Sequence, residues 1–214
     1  GPVFGHSWEG KEKGPENCRS AYWPCATFGE ARNFASQKQP LPTRSKFMCG
    51  IVGYVGHRDV KDFLIEGLRR LEYRGYDSAG IAVMGADGVA VRKRVGKVNE
   101  LASLVETSPV TGKMGMGHTR WATHGKPEER NAHPHLDGSG RLAVVQNGII
   151  ENFRTLREEL QAEGVVFRSD TDTEVIPHLL SRELGRLVAA GRRPSGSLLL
   201  EGLQAILPRL HGEN

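Results

Sequence analysis

The sequence predicts a layered α+β fold. Its strand candidates occur in pairs and hairpins, and helix candidates separate one group of strands from the next. The Asp87-Gly88 pair stands between two β-prone runs, which is typical of a hairpin. The sequence has no G-x-G-x-x-G opening a helix and no G-K-[S/T] phosphate loop, so a doubly wound nucleotide-binding sheet is not expected.

Hydrophobic spacing and turn residues place the elements in chain order. Alternation of small and apolar residues predicts strands, and apolar residues three or four positions apart predict helices. Asp59 is a candidate N-cap for the first helix, and 169–174 has the pattern of a capped helix entry. Strands are predicted at 50–56, 79–84, 89–95, 114–119, 142–145 and 165–167. Helices are predicted at 60–72, 98–106, 152–162 and 198–210, and a further helix runs from the capped entry at 169–174 to about 187.

Composition and charge exclude several classes of protein. Charged residues make up 25% of the chain, and no apolar run approaches the roughly 18 residues that a membrane span needs. The net charge is +4, and residues 1–47, with seven Lys and Arg against four Glu, carry +3 of it. The nearly neutral remainder gives no electrostatic case for a nucleic-acid partner. Three cysteines without a C-x-x-C pair fit neither a disulfide framework nor a zinc site, and they favour a reducing cytoplasm.

Residues 1–47 are interpreted as an extension, and residues 48–214 as the working domain. The first segment has neither strand nor helix periodicity, so we expect it to be disordered or absent from the mature protein. It lacks the apolar run of a secretory signal. The alternatives are a transit peptide, a pro-segment cleaved before Cys49, a linker, and in-frame sequence upstream of a true start at Met48, of which the last is favoured.

Cys49 has two interpretations. A free cysteine is most often a buried core residue. If Met48 is a start and is removed, however, Cys49 carries both a thiol and a free α-amine. An α-amine has an ordinary pKa of roughly 8 and can take the thiol proton, so that the residue becomes a nucleophile with its own base.

Several polar residues have both a structural and a catalytic interpretation. Asn147-Gly148 is a common turn, but the side-chain amide and the backbone N–H can also form an oxyanion hole. Arg120 is a solvated arginine or a fork for a carboxylate. Asp172 is a helix cap or a partner for an ammonium group. Two histidines, His124 and His133, are weak metal-ligand candidates, because no third ligand follows at a fixed spacing.

These groups together describe a site for one kind of substrate. A nucleophile, an oxyanion hole, a carboxylate fork and an ammonium partner fit an amino acid whose side chain ends in an amide. That amino acid is glutamine, and attack by Cys49 on its side-chain carbonyl would give ammonia and a thioester.

Six segments bear a resemblance to a known family. They are CGIVG at 49–53, LEYRGYDSAG at 71–80, HTRWATHG at 118–125, NAHPH at 131–135, NGIIEN at 147–152 and SDTDTEV at 169–175. From Met48 to about Leu210 the sequence resembles the class II glutamine amidotransferases, and within them the glutaminase domains of glutamine–fructose-6-phosphate aminotransferases, also called glucosamine-6-phosphate synthases. The YRGYDSAG and RWATHG segments look like this member in particular.

The resemblance implies an N-terminal-nucleophile αββα sandwich in a cytoplasmic enzyme that needs no metal or other cofactor. Cys49 would carry the glutamyl thioester, and Asn147 and Gly148 would form the oxyanion hole. Glutamine would be held by Arg120, Thr123, His124 and Asp172, Trp121 would close over the site, and His133 matches a position near it. The full enzyme would be a homodimer that makes glucosamine 6-phosphate from L-glutamine and fructose 6-phosphate, the sugar being bound by isomerase domains. Neither nucleic acid nor membrane is an implied partner.

Two features depart from the family pattern. Met48 precedes Cys49, so the Cys49 nitrogen is an amide and no base while that peptide bond exists. The sequence also stops at Asn214, before the remaining strands of such a domain, and we expect a fold that is incomplete at its C-terminus. Two alternatives stay open: another class II amidotransferase, such as an amidophosphoribosyltransferase, and a remnant without catalytic activity.

Overall fold

Four antiparallel strands form the larger sheet of the computed structural model, which describes residues 49–212. The extension predicted over residues 1–47 lies outside the described residues, as does Met48, so the predicted division into domains stays a prediction. The strands are β1 (Gly50–Val55), β2 (Ser78–Gly85), β3 (Gly88–Val95) and β4 (Met114–Arg120), hydrogen-bonded in the order β1-β4-β2-β3.

A two-stranded sheet, five α-helices and three short 3₁₀ helices make up the other regular elements of residues 49–212. Strands β5 (His135–Leu136) and β6 (Ala143–Val144) pair antiparallel. The helices are α1 (Lys61–Leu71), α2 (Val98–Thr107), α3 (Phe153–Ala162), α4 (Val175–Ala189) and α5 (Gly196–Ile206). Within this range no helix is both long enough and apolar enough to cross a membrane.

Helices α1 and α2 cover one face of the larger sheet. Leu64 and Leu68 of α1 are completely buried in the same cluster as Ile81 and Val83, whose side chains point to one side of β2 because residues alternate along a strand. The N-cap of α1 is Val60 and not the predicted Asp59. Asp59 lies one residue earlier, and its carboxylate accepts the N–H of Lys61 at 3.0 Å. Burial of these aliphatic side chains holds the first helical layer on the sheet.

The remaining helices form a second apolar cluster with the smaller sheet. Leu160 of α3, Leu179 of α4 and Ile206 of α5 are buried together, and Val144 of β6 packs against them. Helix α4 contacts both β5 and β6. The molecule therefore has a helical layer on the outer side of each sheet.

The two sheets, each with its own helical layer, meet at Gly80, on the face of the larger sheet opposite α1 and α2. A Cβ at Gly80 would lie only 2.2 Å from the main-chain oxygen of His133, so only glycine allows the 131–135 segment to lie against β2. This segment leads into β5 and contains a cis His133-Pro134 peptide bond. The order of layers is helix, sheet, sheet, helix, as the αββα prediction requires.

The structure corrects two of the predicted strands. The 165–167 segment is not a strand, because its first N–H, on Val165, donates to the carbonyl of Leu160 at the end of α3 and so closes that helix. The strand predicted over 142–145 is reduced to Ala143–Val144, and its partner His135–Leu136 was not among the predicted strands. Such two-residue pairs carry too little alternation to be seen in a sequence.

The predicted hairpin is confirmed, with Gly85 opposite Gly88 at its end. The capped entry to α4 differs in detail from the prediction. Helix α4 begins at Val175, and the carboxylate of Glu174 accepts the N–H groups of Arg168 and Ser169 at 2.8 and 2.7 Å. The last helix ends at Ile206 and is followed by a short 3₁₀ turn.

Candidate active site

Cys49 lies where β1 and β4 run side by side. Gly50 is paired with Thr119 in the sheet, so the residue before β1 comes next to the residues that end β4. The Cys49 sulfur accepts the backbone N–H of Trp121 at 3.1 Å. The thiol is therefore held at the sheet edge rather than in the core, and it is only partly buried.

A cleft of about 310 Å³ opens beside this thiol. The structure brings eight of the nine predicted site residues to its lining: Cys49, Arg120, Trp121, Thr123, His133, Asn147, Gly148 and Asp172. The ninth, His124, does not line the cleft, but its Nδ1 lies 3.7 Å from Asp172 Oδ1. The predicted residues thus gather in one place although they come from five separate stretches of the chain.

Asn147 and Gly148 follow β6 without closing a hairpin, so the turn interpretation does not hold. The Asn147 amide nitrogen donates to the main-chain oxygen of Cys49 at 3.1 Å. Its amide oxygen accepts from His118 Nε2 at 2.8 Å. The side-chain donor of Asn147 therefore points towards the residue that carries the thiol.

Asp172 is buried and does not cap α4. One oxygen, Oδ2, accepts the backbone N–H of Ile150 at 2.8 Å, and the residue is only 4% exposed. This bond holds the chain that follows Gly148 against the cleft. The second oxygen faces His124 and is the acceptor that remains for a positively charged group.

Arg120 is also buried, contrary to the expectation for an ordinary loop arginine, and is 3% exposed. Its terminal nitrogens donate to the carbonyls of Gly125 and Lys126 at 3.2 and 3.5 Å and to that of His124. Arg120 therefore folds the 121–126 loop around its own guanidinium. Burial lowers the pKa of this guanidinium, and the nearby Asp77, Cys49 and Asp172 oppose that effect.

His133 is held by protein contacts rather than poised for a metal. Its Nδ1 accepts the N–H of Gln146 at 3.4 Å, and its ring stacks on His118 with centroids 4.3 Å apart. Burial, and the neighbouring His118 and His135, lower its pKa well below the usual value. Among residues 49–212, no three His, Cys, Asp or Glu side chains come together as metal ligands would.

Four lining residues were not predicted from the sequence: His118, Gln146, Ile149 and Thr173. One signal could have found His118. It lies two positions before Arg120 in a strand, and alternation puts both side chains on the same face. The positions of Gln146 and Thr173, which share a 2.9 Å hydrogen bond, depend on packing between distant segments.

Comparisons with known proteins agree with this geometry. Residues 105–190 match the family described as "Glutamine amidotransferase domain". The chain is 55% identical over 172 residues to glutamine–fructose-6-phosphate aminotransferase (isomerizing) of Mycolicibacterium smegmatis. The matched region covers 77% of this chain and 26% of the relative. Residues 105–190 therefore form part of a glutamine amidotransferase domain. A second relative of the same name, from Thermus thermophilus, is 60% identical over 133 residues, or 62% of this chain and 22% of the relative.

Solved amidotransferase structures share the fold of this chain. The glutamine phosphoribosylpyrophosphate amidotransferase of B. subtilis superposes with a TM-score of 0.60 at 29% identity, over 76% of this chain and 33% of that one. The predicted α+β class with an N-terminal-nucleophile fold is thereby confirmed. This chain spans about a quarter of the length of the M. smegmatis relative that it matches, with 26% covered.

Proposed function

We propose that the cleft hydrolyses glutamine through Cys49 and is the glutaminase part of a glutamine–fructose-6-phosphate aminotransferase. The observation that carries the proposal is the arrangement of nucleophile and oxyanion donor. The Cys49 sulfur sits 3.1 Å from the Trp121 nitrogen, and the Asn147 amide nitrogen lies 3.1 Å from the Cys49 carbonyl oxygen.

The first step forms a bond between the Cys49 sulfur and the side-chain carbonyl carbon of glutamine. The carbonyl oxygen becomes negative and accepts hydrogen bonds from the Asn147 amide and the Gly148 N–H. The C–N bond then breaks, and ammonia leaves with the proton that came from the thiol. Water hydrolyses the thioester and releases glutamate, which restores the thiol.

The proton has to pass through a base beside the sulfur. When Cys49 is the first residue, its own α-amine takes the thiol proton and returns it to the leaving nitrogen. With Met48 attached, the same nitrogen is an amide and cannot do so. Activity therefore requires a chain that begins at Cys49.

The ammonium and carboxylate groups of glutamine, which share one carbon, find their partners among the residues that line the cleft. Asp172 is the acceptor for the ammonium group, since one of its oxygens is not used by Ile150. Arg120 is the partner for the carboxylate, and burial strengthens both interactions. Thr123 lines the cleft and contacts the substrate, and Trp121, which is 40% exposed, closes over it. His124 supports the substrate through Asp172, whose Oδ1 lies 3.7 Å from its Nδ1.

The ammonia is used by the rest of the enzyme. Isomerase domains bind fructose 6-phosphate and convert it to glucosamine 6-phosphate in a cytoplasmic homodimer. An amidophosphoribosyltransferase fits less well, because the structural neighbour of that type is 29% identical, against 55% for the aminotransferase relative.

Glutamate release from glutamine tests the proposal. A chain processed to begin at Cys49 should turn over glutamine, whereas the chain beginning at Gly1 and the Cys49→Ala variant should not. Asn147→Ala should lower kcat by about 10²–10³. The matched control is Asn99→Ala on the exposed surface of α2, which should leave kcat unchanged.

Two outcomes would contradict the proposal. One is full activity of the Cys49→Ala variant, which would exclude the thioester. The other is the absence of both glutamine turnover and a covalent adduct between Cys49 and an electrophilic glutamine analogue in the processed chain.

A further inference from the structure

The hydrogen bonds around Asn147 determine which way its amide group faces. The Cys49 main-chain oxygen, 3.1 Å away, can only accept, so the amide atom that faces it is the nitrogen. The oxygen of the same amide must then face His118 Nε2, at 2.8 Å. The orientation is therefore settled by a partner of fixed chemistry and not by the amide alone.

The contacts of His118 determine where its proton sits. Its Nε2 is also 3.1 Å from the main-chain oxygen of Gln146, which again can only accept. Nε2 must therefore carry the hydrogen. The other ring nitrogen, Nδ1, is buried and has no hydrogen-bond partner among residues 49–212, as fits a nitrogen without a hydrogen.

Burial keeps His118 in this neutral form. The residue is completely buried, and desolvation lowers the pKa of its imidazole to about 4. Its hydrogen bonds to Asn147 and Gln146 act in the opposite direction and raise the pKa, but their effect is smaller. The charged groups that act on it are Arg120, which shares its strand face, and Asp77. The titratable ring of His133 stacks on it, and the ring of His135 lies edge-on to that of His133.

We infer that His118 is a positioning residue for the oxyanion hole, which presents the Asn147 amide nitrogen to the reacting carbonyl. The inference rests on the proposed function and adds to it a residue that does not itself touch the substrate. If the Asn147 amide turned over, its NH₂ would face the Nε2–H of His118, and its oxygen would face the Cys49 carbonyl. Two hydrogen bonds would be lost, which disfavours the turned amide by a factor on the order of 30.

Substitutions at His118 separate this role from a structural one. His118→Phe keeps a flat buried ring without the donor, and we expect kcat for glutamine to fall about 10–100-fold with KM changed less than about threefold. His118→Gln restores an N–H near the Nε2 position and should recover most of the lost kcat. The matched control is His135→Gln, a buried histidine of the same ring cluster whose Nε2 contacts Thr171 instead.

A double-mutant cycle tests whether His118 acts through Asn147. In the Asn147→Ala background, His118→Phe should lower kcat by less than about threefold, because the donor that it positions is already gone. Additive losses would overturn the inference while leaving the proposed function intact. So would a His135→Gln variant that loses as much kcat as His118→Phe.

Nitrogen NMR of the histidine rings tests the inference independently of catalytic activity. In the protein labelled with ¹⁵N at histidine and asparagine, His118 should show a protonated Nε2 and an unprotonated Nδ1 at pH 7, and it should stay neutral at pH 5. The side-chain NH₂ signals of Asn147 should shift in His118→Phe but not in His135→Gln. A His118 protonated at Nδ1, or unmoved Asn147 signals, would overturn the inference whether or not glutamine is hydrolysed.

Discussion

Replacing Gly80 with alanine tests how the two layers are held together. A Cβ at this position would lie 2.2 Å from the main-chain oxygen of His133 and 3.0 Å from that of Arg92. Even weak C–H···O contacts keep carbon and oxygen about 3.3 Å apart. The 131–135 segment would therefore have to move by about 1 Å, because backbone atoms have no alternative rotamer.

The expected loss of stability follows from these distances. Overpacking of a filled site costs about 1–3 kcal/mol, and two backbone obstacles favour the upper end of that range. Loss of the glycine's freedom in the unfolded chain offsets about 0.4–1 kcal/mol. We expect a net loss of about 2 kcal/mol in the free energy of unfolding, which lowers Tm by about 4–8 °C for a domain of this size.

Urea unfolding followed by circular dichroism measures this loss. Gly53→Ala in β1 is the matched control, because among the described residues no atom lies within 4 Å of a Cβ there. The control should be as stable as the parent or slightly more so. If Gly80→Ala proves as stable as Gly53→Ala, the 131–135 segment does not rest on β2 and the packing argument is wrong.

Three further substitutions test the cleft and the smaller sheet. Asp172→Asn should raise KM for glutamine about 10–100-fold, because a buried charge-assisted hydrogen bond contributes about 1.5–3 kcal/mol; an unchanged KM would exclude Asp172 as the ammonium partner. Arg120→Lys keeps the charge but cannot reach three carbonyls at once, so limited proteolysis of the 121–126 loop should become faster and KM should rise. Equal cleavage rates would show that the guanidinium does not hold the loop. Asp137 is buried, which opposes ionisation, but hydrogen bonds from Ser139, Leu142 and Ser181 outweigh that effect and lower its pKa to about 2. Because the folded pKa lies below the unfolded value of 3.8, Asp137→Asn should cost about 2 kcal/mol at pH 7, and the difference should disappear as the pH falls from about 4 to 2. A difference that persists at pH 2 in urea titrations would contradict this assignment.

Long elements with a clear period were predicted well from the sequence. The hairpin of β2 and β3 and the helices α1 and α4 have enough residues for alternation or helical spacing to stand out. The 165–167 segment has the composition of a strand but forms none, because the N–H of Val165 is taken by Leu160. Composition indicates what a segment can form, and the available partners decide what it does form.

The candidate site was predicted more completely than its supporting contacts. Cys49, Arg120, Asn147 and Asp172 are recognisable because each has a side chain suited to one part of glutamine. His118 was passed over although it stands in the same motif, because nothing in the sequence says that its Nε2–H meets Asn147.

The sequence by itself determined the α+β class, the main elements and the identity of the groups that do chemistry, because these follow from local periodicity and residue type. Only the tertiary structure decided how those groups are oriented. Asp172 gives one oxygen to Ile150, and Asn147 directs its nitrogen to Cys49, which lies 98 positions away in the chain. Each orientation is set by a hydrogen-bond partner from a distant segment, and such partners meet only when the sheets and helices pack.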